Sequence, residues 1–194
     1  NKNTLTRAVT YNFKIPDKRR DGIVPQSIPY KQEIRIASIN VRGMKEAAKR
    51  EQIIQQMIKH QIDIACLQET HIPDSSIETR QKHQFVFSST SQNNKEDWGV
   101  GFCFKRSMEK YRTSYTQHSS NLATLELKMH GNPLVIATVY IPHDAVTQQQ
   151  QAKRAAAREE LENLIHETTQ AKNIIICGDF NAALHHRKEG EEDI

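Results

Sequence analysis

Polar side chains that could hold a cation, a phosphate or a water molecule close four apolar runs of this sequence. The plainest run is the last, where residues 173–184 read Asn-Ile-Ile-Ile-Cys-Gly-Asp-Phe-Asn-Ala-Ala-Leu. Ile174 to Cys177 are too few for a helix and suit a buried strand. Gly178 permits a close backbone approach, and Asp179 follows at the strand's end. Alternation along a strand is expected to turn Asp179 and Asn181 to one side and Phe180 to the core. Gly, Asp and Asn also favour turns, so a plain turn competes as a reading of this stretch. The three earlier runs end at Asn40, Glu69 and Tyr140. Side chains at such ends can converge on one rim of a sheet sandwich, where a carboxylate beside an amide can orient water, phosphate or metal.

The elements that must position these residues begin at Ile34. Ile34, Ile36, Ala37 and Ile39 make a strand ending at Asn40 and Gly43. From Lys45 a helical pattern places Ile53, Ile54, Met57 and Ile58 on one face. Ile62 to Leu67 is a second strand, ending in Gln68-Glu69-Thr70-His71. Strand, helix and strand in about thirty residues predict a parallel crossover. Residues 73–84 read as a polar loop or weak helix, 85–87 as a strand, and 92–97 as an exposed loop. Gly99 to Phe104 is a strand, while 111–116 is open between strand and loop. Leu125, Leu127 and Met129 alternate with polar residues, and a turn at 130–133 leads into a strand at 134–140, which predicts a hairpin. Residues 147–172 form a long helix with Ala157, Leu161, Leu164, Ile165 and Thr168 inward. Short strands with two amphipathic helices predict an α+β fold of packed sheets flanked by helices.

The chain has 194 residues, enough for one domain with a buried core. Residues 1–33 contain three prolines and the cluster Lys18-Arg19-Arg20 without sustained periodicity, and read as a flexible basic arm or linker ahead of a domain at 34–194. They carry seven basic and three acidic side chains, which accounts for the whole net charge of +4. Such an arm suits a polyanion, or is simply solvated. No apolar run approaches membrane-spanning length, and no signal-peptide core is present. A nuclear or cytoplasmic location and no membrane partner are expected. Cys66, Cys103 and Cys177 lie in apolar runs without zinc-site spacing, so they read as buried free thiols.

The motifs resemble those of the endonuclease/exonuclease/phosphatase superfamily. Ile-Asn-Val-Arg-Gly at 39–43, Leu-Gln-Glu-Thr-His at 67–71, Val-Tyr-Ile-Pro at 139–142 and Gly-Asp-Phe-Asn at 178–181 are similar to its motifs, in order. Within it they are most similar to endonuclease domains of LINE-type retrotransposons. The resemblance implies a two-sheet sandwich with helices outside, here an incomplete four-layer αββα arrangement, and Mg²⁺-dependent hydrolysis of DNA phosphodiesters, with Mn²⁺ as the alternative ion. It implies Glu69 and Asn40 as metal-holding groups, Asp179 as orienter or base for water, and Tyr140 and Asn181 as donors to phosphate. The competing readings are a surface Glu69, a turn-forming Asn40 and a core Tyr140. Arg42 and Arg187 could contact backbone phosphate, or be solvated; His71 has no assigned role.

The family pattern also implies a later Asp and a Ser-Asp-His motif. His185-His186 follows Asn181 too closely to supply it, and Asp193 lies in the acidic run 189–193. With an opening Asn in place of Met, the expectation is a piece of a longer polyprotein, such as one carrying a reverse transcriptase, and catalytically silent by itself. Other expectations within reach are a phosphoesterase acting on abasic sites, phosphoinositides or sphingomyelin, and a non-catalytic binding module.

Overall fold

Runs rich in isoleucine and valine with few charges form strands that are covered on both faces, and two sheets are built from them. The computed structural model describes residues 7–11, 27–28, 33–89, 98–143, 147–169 and 172–182. In chain order the elements are β1 (Arg7–Tyr11), β2 (Ile34–Asn40), α1 (Ala47–Lys59), β3 (Ile64–Gln68), β4 (Ser76–Arg80), β5 (His83–Ser88) and β6 (Val100–Lys105). A 3-10 turn (Arg106–Tyr111) leads to β7 (Arg112–Gln117), β8 (Leu122–Leu127), β9 (Leu134–Tyr140), α2 (Gln148–Thr169) and β10 (Asn173–Asp179).

The first sheet has the order β1-β2-β3-β6-β5-β4 and the second β10-β9-β8-β7. Two pairs are parallel. β2 lies beside β3 with α1 as the crossover, and β9 beside β10 with α2 as the crossover. β8 and β9 form the expected antiparallel hairpin.

Alternation along the strands sorts side chains into layers. Ile34, Ile36, Ile64, Cys66 and Phe102 meet Ala123, Leu125 and Ile136 between the sheets. From the other face of the first sheet, Ala37, Ile39, Ala65, Leu67 and Phe85 pack on Ile53, Ile54 and Met57 of α1. Ala157 and Leu164 of α2 cover Leu122, Ala137 and Val139 of the second sheet. Burying each large apolar side chain contributes about 1.5–3 kcal/mol. The result is the α+β, four-layer αββα arrangement expected from the sequence. No described helix is long and apolar enough to cross a membrane.

Several expectations need correction. Ile58 is 51% exposed. It lies about 40° around the helix from Ile54, at the edge of the inward stripe and close to the helix end. The segment 73–84 contains strand β4, paired antiparallel with β5. Its residues are exposed or half-buried, so an edge strand here shows no apolar alternation to read. The stretch 111–116, open between strand and loop, is strand from Arg112 onward, in β7. Within 1–33, Arg7–Tyr11 pairs antiparallel with β2, and Ile28 is buried with its N–H donated to the Lys128 carbonyl at 3.1 Å. The expected loop at 92–97, the cluster Lys18-Arg19-Arg20, and His185, His186, Arg187 and Asp193 lie outside the described residues. Cys66 and Cys103 are buried and Cys177 half-buried, all as free thiols.

His83 opens β5 fully inside the protein, and among the described residues neither ring nitrogen has a hydrogen-bond partner. Burial lowers its pKa from the ordinary 6.5, the charge of Lys105 lowers it further, and Glu51 partly opposes both. The folded protein therefore holds His83 neutral while the unfolded chain takes up a proton. Stability is full above the ordinary histidine range and falls as pH drops from 6.5 toward the depressed folded value. His83→Phe is expected to flatten the fall in denaturant midpoint between about pH 7 and about pH 5. An unchanged slope in urea titrations would show that the ring is not the proton acceptor.

Candidate active site

The two parallel pairs bring their carboxyl ends to one rim. Asn40 stands opposite Gln68 across β2 and β3, and Tyr140 opposite Asp179 across β9 and β10. Just below the rim a buried polar bridge joins the sheets. Gln68 Nε2 donates to Thr138 Oγ1 at 3.0 Å, Thr138 Oγ1 donates to the Leu67 carbonyl at 3.2 Å, and Ser38 Oγ donates to Gln68 Oε1 at 3.3 Å. Hydrogen bonds of this kind, closed in a dry layer, fix how the sheets sit against each other.

Above that bridge the predicted residues meet. Asn40 Nδ2 donates to Glu69 Oε1 at 2.7 Å and to Asp179 Oδ2 at 2.8 Å. One amide nitrogen thus uses both hydrogens to hold carboxylates from two sheets. Its oxygen accepts the Arg42 backbone N–H at 3.2 Å. Asp179 Oδ1 accepts the Asn181 backbone N–H at 3.1 Å, and Asn181 Nδ2 donates to the Ile141 carbonyl at 2.8 Å. Arg42 is brought in through its backbone, and its side chain is exposed.

Tyr140 is completely buried, and among the described residues its hydroxyl has no hydrogen-bond partner. Burial, then the negative charge of Glu69, pushes the phenol up to about 12. The Asn181 amide, facing the phenol without closing a hydrogen bond of normal geometry, works the other way, and Asp179 adds a smaller push upward. The hydroxyl stays protonated at neutral pH and is a donor in want of an acceptor.

The backbone at the rim is strained. Arg42, Glu69, His71 and Asn181 all have left-handed φ, between 43° and 55°, and among the described residues only two other non-glycines do. Such conformations cost about 1–2 kcal/mol each and persist where surroundings over-determine them. Here the Gly43 N–H is donated to the Glu69 carbonyl at 2.6 Å and that of Met44 to Thr70 at 2.8 Å. Gly178 makes the predicted close approach to its strand neighbour, because a Cβ there would sit 2.3 Å from the Val139 carbonyl.

Phe180 departs from the expectation and is 41% exposed. The strand ends at Asp179 and the chain turns at once, so alternation no longer governs the next residue. Four further residues support the rim, and none but Gln68 stands at the end of an apolar run as its motif residues do. Gln68 and Thr138 form the inter-sheet bridge. Buried Arg154 belongs to the inward stripe of α2, three residues before Ala157, and its Nη2 donates to the Asn181 carbonyl at 3.4 Å. Trp98 lies against Tyr140 with ring centroids 5.3 Å apart, and against His71 at 5.3 Å. Gln68 alone left a signal, a polar residue closing an otherwise apolar strand.

The profile of the endonuclease/exonuclease/phosphatase family matches residues 37–188. The chain belongs to this family. It is 23% identical over 151 residues to an exodeoxyribonuclease of Bacillus subtilis (strain 168), a match covering 77% of this chain and 59% of that protein. Among solved structures of the family's fold, it resembles the endonuclease domain of TRAS1, a telomere-specific non-LTR retrotransposon, with TM-score 0.53, 14% identity, and 78% and 60% of the two chains covered. It also resembles D. rerio TDP2 complexed with a single-strand DNA product, with TM-score 0.50, 18% identity, and 76% and 60% covered. The chain thus spans about three fifths of the length of these relatives.

Asn40→Ala removes the amide and leaves two carboxylates facing each other with nothing between them. It is expected to destabilise the protein by about 1–3 kcal/mol, the usual cost of stranding hydrogen-bonded groups. Urea unfolding of both proteins measures this, and an unchanged midpoint would show that the amide does not hold the rim together.

Proposed function

We propose that the protein is a Mg²⁺-dependent phosphodiesterase that hydrolyses DNA, of the LINE-type endonuclease subclass. The observation that carries this reading is the pairing of Glu69 and Asp179 through Asn40. Two carboxylates and an amide form an oxygen-rich rim beside a protonated phenol that has no hydrogen-bond partner among the described residues. Among the described residues no group of three His, Cys, Asp or Glu side chains is placed to hold a metal. Mg²⁺ often takes only one or two protein carboxylates and keeps water for the rest, so this donor set fits it. The exodeoxyribonuclease relative and the TDP2 complex with DNA product support a DNA substrate, and the TRAS1 likeness supports the subclass.

Mg²⁺, or Mn²⁺ in its place, would supply neutralising charge for the phosphate and leaving oxygens when bound. Glu69 would hold the ion. Asn40 keeps Glu69 and Asp179 in place through its nitrogen, and its oxygen retains a lone pair beyond the Arg42 N–H. Asp179, with one oxygen fixed by Asn40 and the other by the Asn181 N–H, would orient the attacking water and take up its proton. The Tyr140 hydroxyl would donate to a phosphate oxygen, as would the second hydrogen of the Asn181 amide. Arg42, exposed beside the rim, would meet a neighbouring backbone phosphate. Such a nuclease would work in the nucleus or cytoplasm, with a reverse-transcriptase region as an accompanying domain.

The full-length protein is expected to nick supercoiled plasmid in Mg²⁺ and to stop in EDTA, and cleavage that persists in EDTA overturns the metal assignment. Glu69→Gln keeps the size and removes the charge, so apparent Mg²⁺ affinity should fall by about 10–100-fold with the fold intact. Wild-type affinity in that variant would place the ion elsewhere.

We also propose residues 1–33 as a polyanion contact. Because Arg7–Tyr11 is part of the first sheet, the informative variant leaves that strand in place and replaces Lys18, Arg19 and Arg20 by Gln. The slope of log affinity for DNA against log salt should become shallower by up to about 3 in B-DNA terms. An identical slope would make the segment a linker only.

A further inference from the structure

Trp98 is the sole tryptophan of the chain and stands between two aromatic rings of the rim. Its indole packs on Tyr140 at 5.3 Å between centroids, tilted by 35°, and on His71 at 5.3 Å, tilted by 55°. These separations lie within the range of favourable aromatic pairs. His71 in turn places Nε2 4.0 Å from Glu69 Oε2, the carboxylate oxygen that Asn40 does not hold.

The Tyr140 phenol has no hydrogen bond to orient it among the described residues. Packing of its ring must therefore set where the hydroxyl points, and the indole is the aromatic surface it meets. His71 is held in a left-handed conformation, with φ 51°, that needs outside support. Its backbone N–H is donated to the Trp98 carbonyl at 2.9 Å, and the Thr70 N–H to the Gly99 carbonyl at 3.0 Å. Gly99 itself has φ +70°, and a Cβ there would come within 2.5 Å of Thr70 Oγ1. The 98–99 backbone is thus pressed onto the segment that carries Glu69, which fixes the point from which the indole projects.

We infer that Trp98 is a positioning residue, its indole setting the Tyr140 hydroxyl on one side and the His71 ring beside Glu69 on the other. The inference deepens the proposed phosphodiesterase reading and rests on it for what the hydroxyl would bind. Trp98 touches none of the reacting atoms in this scheme. It acts through Tyr140, so its loss and the loss of the hydroxyl should report the same event.

Two measurements on the 194-residue chain test this. In the absence of any ligand, Trp98→Leu should shift the Tyr140 and His71 ring-proton resonances, while Trp98→Phe restores them in large part. Unmoved resonances overturn the inference, whatever the substrate proves to be. The second is a double-mutant cycle read by calorimetry, with a dithymidine phosphorothioate diester in Mg²⁺ as the probe. Tyr140→Phe and Trp98→Leu should each weaken binding about fivefold, the scale of one hydrogen bond. The double variant should bind no more weakly than either single one, because both remove the same contact. Trp98→Phe should stay within about twofold of wild type, and it carries the test if Trp98→Leu does not fold. Multiplying losses, or full affinity in Trp98→Leu, would overturn the positioning role. If Glu69→Gln and Tyr140→Phe both leave the affinity unchanged, the phosphodiesterase reading is the one that fails, and the resonance shifts still decide the packing.

Discussion

One amide nitrogen joins the two halves of this protein's rim. Asn40 Nδ2 holds Glu69 from the first sheet and Asp179 from the second, with both hydrogens spent. Two carboxylates brought this close repel each other, and in a partly dry site the repulsion grows as the effective dielectric falls. A neutral donor with two hydrogens at a fixed angle lets them sit side by side. The rest of the architecture serves that meeting. Two helical crossovers put parallel strand ends at one level, and the Gln68–Thr138 bridge locks the sheets one layer below.

The same rim is where the backbone departs from its preferred conformations. Four residues in the left-handed region stand within the three loops that follow β2, β3 and β10. Each aims a side chain or an N–H that ordinary strand geometry would turn aside. Main-chain hydrogen bonds between the first two loops, together with Arg154 against the Asn181 carbonyl, hold these conformations against the cost. A rigid, tethered rim suits a site whose groups must be placed before a ligand arrives.

Much of this was legible from residue types alone. A polar residue closing an apolar run marks a strand mouth, and that signal placed Asn40, Glu69, Tyr140, Asp179 and Asn181, which the fold does gather. The periodicity of α1 between two apolar runs gave the parallel pair of β2 and β3, while that of β9 and β10 was not anticipated. What escaped has physical reasons. Strand β4 pairs by backbone at an exposed edge, so its side chains carry no alternation, and β1 pairs from a segment that reads as an arm. Phe180 follows a turn that only the Asp179–Asn181 hydrogen bond reveals. Thr138 and Trp98 matter through partners about seventy and forty residues away, and tertiary neighbours of that kind leave no local pattern.

The contact between Asn40 and Asp179 spans 139 residues. Ribosomes add about 5–20 residues each second, so the two emerge roughly 7–28 s apart. The first sheet, with Asn40 and Glu69 in it, is complete in sequence by Lys105, long before β10 exists to dock on the edge of the second. No nascent chain that has yet to reach Asp179 can bring the two carboxylates together, whatever else of its fold has formed. The rim is therefore closed only once β10 has been made and docked beside β9.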